Sequence, residues 1–99
     1  MTIEIKKQNE EITIEVAGRL DTITAPVLEK TINESIGAIK SLVLDLRELK
    51  YISSAGLRVL LTAHKKMQRV GSMKLTGVCE DVMDVLEMTG FADILVIEK

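Results

Sequence analysis

Only two of the 99 residues are aromatic, Tyr51 and Phe91, and tryptophan is absent. The core must therefore be built from Ile, Leu, Val and Met, which the 46% hydrophobic fraction supplies in plenty. A single cysteine, Cys79, excludes an internal disulfide and a cysteine metal cluster. It reads as a small buried or half-buried side chain. No run is long and apolar enough to cross a bilayer. The opening MTIEIKKQ lacks the basic-then-apolar order of a signal peptide, so a cytoplasmic protein is expected. Basic excess is missing too: 13 Lys and Arg against 15 Asp and Glu give a net charge of -2. That argues against nonspecific nucleic-acid binding, which needs a cationic face to displace counterions. No linker, repeat or low-complexity segment divides the chain, and residues 1–99 are expected to form one domain.

Ile3 and Ile5 alternate with polar residues, as do Ile12, Ile14 and Val16, with the polar KKQNEE between them. This predicts a hairpin of two half-buried strands. Thr24-Ala25-Pro26 predicts a helix start, with Thr24 as the cap and the proline in a first turn that needs no N–H. Leu28, Ile32, Ile36 and Ile39 follow at roughly helical spacing. SLVLDL, residues 41–46, reads as a strand covered on both faces. A second helix carries Leu57, Leu60, Leu61 and His64 at i, i+3, i+4 and i+7, with Gly71 placed to end it as a left-handed residue. MKLTGV predicts a strand, Asp81 the cap of a short helix carrying Val82, Val85 and Leu86 and stopping near Gly90, and ILVIE a last strand. The expected class is α/β: an antiparallel N-terminal hairpin, then parallel strands of a mixed sheet with helices packed against it. One face of the first strands should be less covered.

The chemistry is limited by a single histidine. His64 lies ten positions beyond Ser54 on the same helix, ~15 Å of rise, too far to serve as its base. No Gly-x-Ser-x-Gly elbow and no Gly-rich loop ending in Gly-Lys-Ser/Thr is present. His64 is expected at the edge of the core. Gly37, Gly71 and Gly90 fall where helices should stop. Asp21 and Asp45, near strand ends, read as turn or cap residues, and no spacing suggests a metal or a cofactor.

What remains is the helix start in YISSAGLRVLLTAHKKM, residues 51–67. A serine cap explains one hydroxyl. It leaves unexplained why Ser53-Ser54-Ala55-Gly56 is stripped of bulk, because glycine in a helix costs about 0.8–1.0 kcal/mol relative to alanine. Small residues here would leave backbone N–H groups and a hydroxyl open to an approaching surface, where a helix N-terminus also tolerates a phosphate. Capping alone and an interaction site are both consistent with the residues themselves.

LVLDLRELKYISSAGLRVLL, with GRLDTITAP before it, resembles the STAS domain of bacterial anti-sigma factor antagonists over essentially the whole chain. In that family Leu-Asp-Leu/Met ends a strand and leads to an apolar-apolar-Asp-Ser-Ser/Thr-Gly-Leu motif, with Gly-x-Leu-Asp before the first helix. Gly56-Leu57 anchors the match, and the serine two places before the glycine, Ser54, falls on the family's phosphoacceptor. Ser53 stands where many relatives have aspartate, and Ala55 where they have a second Ser or Thr. Asp21 matches the acidic residue of the earlier motif. The resemblance implies a partner surface made of Asp21, Thr22, Ser53, Ser54, Ala55, Gly56, Leu57 and Arg58.

It further implies a switch that is not itself an enzyme. The unphosphorylated protein would bind an anti-sigma factor that is also a serine kinase of the histidine-kinase-like ATPase fold, releasing a sigma factor. Phosphorylation of Ser54 would end that interaction, and a PP2C-type phosphatase would reset it. A monomer or weak dimer is expected, with no nucleic-acid or membrane partner. The alternatives are a STAS subunit of a lipid-transport or other regulatory complex, a transporter's regulatory tail, or a small-molecule sensor.

Overall fold

The computed structural model describes residues 1–98, and their backbone follows the expected order with one addition. The strands are β1 (Thr2–Gln8), β2 (Glu11–Leu20), β3 (Ser41–Asp45), β4 (Leu49–Ile52), β5 (Ser72–Thr76) and β6 (Ile97–Glu98). The helices are α1 (Ala25–Ser35), α2 (Ser54–Gln68) and α3 (Glu80–Met88). β1 and β2 form the expected antiparallel hairpin, closed at Asn9, whose φ of 56° is a left-handed value that asparagine tolerates. The sheet then runs β1-β2-β3-β5-β6, every later pairing being parallel.

Register aligns the apolar residues into rows. Ile12, Leu42 and Met73 lie side by side, as do Ile14, Leu44 and Leu75, and all six are buried. Leu28 and Ile32 of α1, Leu57, Leu60, Ala63 and Met67 of α2, and Val82 and Leu86 of α3 complete this one core. Burying each large aliphatic side chain is worth about 1.5–3 kcal/mol relative to exposure, so the rows fix the register.

The alternating residues tell a different story. Thr13, Val43 and Lys74 form one row on the opposite face, and Glu15, Asp45 and Thr76 another. Most of these are only half-buried. The open face therefore extends across the sheet, beyond the first strands. SLVLDL is not sandwiched between helical layers: Val43 is buried between Thr13 and Lys74 of the flanking strands.

β4 is the addition. It pairs in parallel with the far end of β2 after a register shift at Gly18/Arg19, bringing Arg19 opposite Tyr51 and Leu20 opposite Ile52. Its side chains do not alternate, since Leu49 and Ile52 are buried while Lys50 and Tyr51 are exposed.

Several local expectations change. Gly71 is not left-handed: the Lys40 carbonyl lies against its Cα, where any Cβ would overlap it. Gly90, at φ 81°, does adopt the left-handed conformation after α3. Gly37 lies inside a short 3-10 turn, Ile36–Ala38, that extends α1. Cys79, half-buried, takes the cap position of α3 and donates its thiol to the Leu49 carbonyl at 3.3 Å. Asp81 sits within the first turn beside Glu80, where negative charge suits the helix dipole. The last strand is shorter than ILVIE because a 3-10 turn, Phe91–Asp93, precedes it, and pairing starts as Val96 accepts from the Leu75 N–H. Leu61 is only half-buried on α2, while Val59, Ala63 and Met67 take more of its core face. His64 is buried there with Nδ1 lacking a hydrogen-bond partner. Asp45 acts as a turn residue, accepting from the Arg47 N–H at 3.0 Å.

Candidate functional site

The parallel pairing of β2 with β4 sends both strands out at the same end of the sheet. Each then turns into a helix, β2 through residues 21–24 into α1 and β4 through Ser53 into α2. The Ser53 N–H donates to the Leu20 carbonyl at 2.8 Å, stitching the two helix starts together. Two motifs more than thirty residues apart thus form one surface.

Ser53 and Ser54 divide the work. Ser53 has the extended backbone of an N-cap, and its Oγ accepts from the Gly56 N–H at 3.3 Å. Ser54 is the first helical residue and is exposed. Among the described residues no hydrogen bond engages its hydroxyl. The Ser54 and Ala55 N–H groups have no intrahelical acceptor, and the first turn carries no acidic side chain. Arg58, also exposed, lies one turn along at i+4 and so shares Ser54's side of the helix. An anion on Ser54 would meet the positive end of α2 with nothing of like charge in that turn.

The small residues have another cause. Gly56 is buried, and a Cβ added to it would lie 2.8 Å from Leu20 Cγ and 2.9 Å from Ile52 Cγ1. Leu57 is buried in the core, and Ala55 is partly buried against it. Gly56 and Leu57 were expected in the contact surface, but they hold α2 against β2 and β4 from beneath. The bulk is missing because helix and strands approach closely.

Asp21 is committed to its own loop. Its Oδ1 accepts from the Ile23 and Thr24 N–H groups at 3.0 Å each. Thr24 takes the expected N-cap position of α1, but its hydroxyl makes no capping bond to the helix: it accepts from the Asp21 N–H and donates to the Arg19 carbonyl, both at 2.8 Å. The Thr24 N–H is the main cause holding the Asp21 carboxyl below its ordinary pKa, with the Thr24 hydroxyl, the Ile23 N–H and the Arg19 guanidinium at 3.9 Å helping against desolvation. A depressed folded pKa means stability that is present at neutral pH and lost as pH falls through that value. Asp21→Ala is therefore expected to melt below wild type at about pH 7, with the gap narrowing toward about pH 2. Thermal melts of both proteins across that range check it, and a gap independent of pH would contradict the role.

Thr22 is exposed beside Asp21. The expected partner surface omits three exposed hydrophobic residues at this end of the sheet. Ile23 is 84% exposed and Val27 54%, while Tyr51 is exposed with the Arg19 guanidinium 4.1 Å above its ring. Ile23 and Val27, four apart, do bear a signal: their spacing is helical but offset by one from the core pair Leu28 and Ile32. Asp21, Thr22, Ser53, Ser54 and Arg58 gather here with this apolar margin. Among the described residues no three His, Cys, Asp or Glu side chains converge as a metal would require.

Residues 2–99 match the STAS domain family, and the chain belongs to it. An anti-sigma-B factor antagonist from Listeria monocytogenes is 35% identical over 103 residues, an alignment covering all of this chain and 90% of that protein. Among solved structures, an anti-sigma factor antagonist from Mycobacterium paratuberculosis superposes with a TM-score of 0.88 at 22% identity, over 97% of this chain and 83% of that one. The Bacillus cell fate determinant SpoIIAA, in its phosphorylated form, superposes with a TM-score of 0.77 at 18% identity, over 99% and 92% of the two chains.

Proposed function

We propose that this protein is an anti-sigma factor antagonist that works by switching partners. Unphosphorylated, it binds an anti-sigma factor through the surface around Ser54 and so frees a sigma factor. The anti-sigma factor is also a serine kinase of the histidine-kinase-like ATPase fold, and it ends the interaction by phosphorylating Ser54. A PP2C-type phosphatase restores the unmodified serine. The events take place in the cytoplasm, and the protein is a substrate with no catalytic group of its own.

The observation that carries this reading is the split between the serines: Ser53 Oγ is engaged as the cap, while Ser54 is exposed at the first position of α2. In the transfer, Ser54 Oγ forms a bond to the γ-phosphorus of ATP as the bond to the β-phosphate oxygen breaks. ADP leaves, and the hydroxyl proton passes to a base of the kinase. The product carries about −1.5 to −2 charge at neutral pH. The Ser54 and Ala55 N–H groups and Arg58 favour that charge, so the fold stays intact. Binding is lost because the phosphate occupies ground that the partner must desolvate. Relatives named as anti-sigma factor antagonists, and one of the same fold solved in phosphorylated form, support the reading.

Incubation with the cognate kinase and ATP, followed by mass spectrometry, is expected to place one phosphate on Ser54. A phosphate on Ser53, or on Thr22 or Thr24 instead, would contradict the assignment.

A further inference from the structure

The geometry points to β1 as a self-complementary edge through which two copies of this chain associate into one continuous antiparallel sheet. Among the described residues β1 pairs only with β2, which leaves its outer backbone edge free. Six of its seven residues are exposed, including Ile5 at 52%. Ile3 and Ile5 lie opposite Val16 and Ile14 on the apolar face, while Glu4 and Lys6 lie opposite Glu15 and Thr13 on the open face.

Two copies of Thr2–Gln8 can be laid antiparallel about Ile5. Ile5 then meets Ile5 of the second copy on the apolar face, and Glu4 meets Lys6 twice on the open face. Thr2 meets Gln8, and Ile3 lies under the stem of Lys7, whose amine reaches water. Sliding the register by two residues in either direction places Glu4 against Glu4 or Lys6 against Lys6, which like-charge repulsion disfavours. An odd slip sets apolar faces against polar ones. One register is selected.

Glu4 supplies a separate reason. Within one chain it faces Glu15, a like charge, and Lys6 is bound to Glu15 at 3.1 Å. Among the described residues no cation pairs with Glu4. A second copy's Lys6 would provide one. None of the residues around Ser54 lies on β1, so each copy keeps that surface free, and the inference stands independently of the function proposed above.

Sedimentation equilibrium from about 10 µM to about 1 mM tests the association, which edge pairing alone makes weak. The wild-type protein is expected to approach dimer mass at the upper end. Glu4→Lys, which relieves the contact with Glu15 while opposing Lys6 of the second copy, is expected to weaken the dimer about tenfold or more. The double variant Glu4→Lys/Lys6→Glu restores complementarity and should recover it. As a test independent of charge, Ile5→Cys in a Cys79→Ser background should oxidise to a covalent dimer, because a symmetric pair has Cα atoms about 4.5–5.5 Å apart. Thr2→Cys in the same background should cross-link at least about tenfold more slowly, lacking a symmetric partner. A wild-type monomer at the highest concentration, a dimer indifferent to Glu4→Lys, or equal cross-linking at both positions would overturn the proposal. The last two would move the interface elsewhere, for example to the groove between α3 and β6.

Discussion

Gly56→Val is expected to lower stability by about 2–4 kcal/mol and the melting temperature by roughly 10–25 °C. A single Cβ already falls 2.8–3.0 Å from atoms of the Leu20 and Ile52 side chains, and both residues are buried. Valine adds two methyl groups to that contact, and β-branching restricts its rotamers inside a helix. Removing glycine from a helix returns at most about 1 kcal/mol of propensity, so overpacking wins. The fraction that remains folded should bind the anti-sigma factor with an affinity within about threefold of wild type, since Gly56 contributes no exposed side chain. Thermal melts followed by titration decide the matter. An unchanged melting temperature with lost binding would return Gly56 to the contact surface.

Ser54→Asp is expected to weaken partner binding by about a hundredfold or more, equivalent to about 2.7 kcal/mol, while its melting temperature holds or rises. An acidic residue at the first position of α2 meets the helix dipole favourably, typically by 0.3–1 kcal/mol. The same charge, placed in a contact that must shed water, has no such compensation. Ser54→Ala should melt within about 0.5 kcal/mol of wild type because the cap belongs to its neighbour. It should bind the partner and resist release by ATP. Ser53→Ala, by contrast, should lose about 1 kcal/mol of stability and still be phosphorylated at Ser54. Melting and titrating the three variants side by side separates the roles. A Ser54→Asp protein that melts well below wild type, or binds as tightly, would defeat the electrostatic switch.

Much of this was legible in the chain. The helices show in the spacing of Leu28 and Ile32, of Leu57 and Leu60, and of Val82 and Leu86, because one-sided burial imposes that period. The hairpin shows in the alternation of Ile3 and Ile5 with Ile12, Ile14 and Val16. Ser54 stood out through its neighbours. β4 did not, because four residues with buried ends and exposed middles match neither period. The packing need at Gly56 and at Gly71 was not legible, for a related reason. What demands glycine at each is a contact with a segment distant in sequence, Leu20 and Ile52 for one and Lys40 for the other. The exposure of Ile23 and Val27 follows from the same spacing, since they fall one position off Leu28 and Ile32, which face the core.

The most direct measurement is a calorimetric titration of the cognate anti-sigma factor with two forms of this protein. One carries unmodified Ser54, and the other carries phosphoserine at position 54, installed during synthesis so that no kinase is involved. Tight binding of the unmodified form, and binding at least about a hundredfold weaker for an equally stable phosphorylated form, is the expected result. Equal affinities for the two forms, with both folded, would contradict the claim that charge at Ser54 sets the switch.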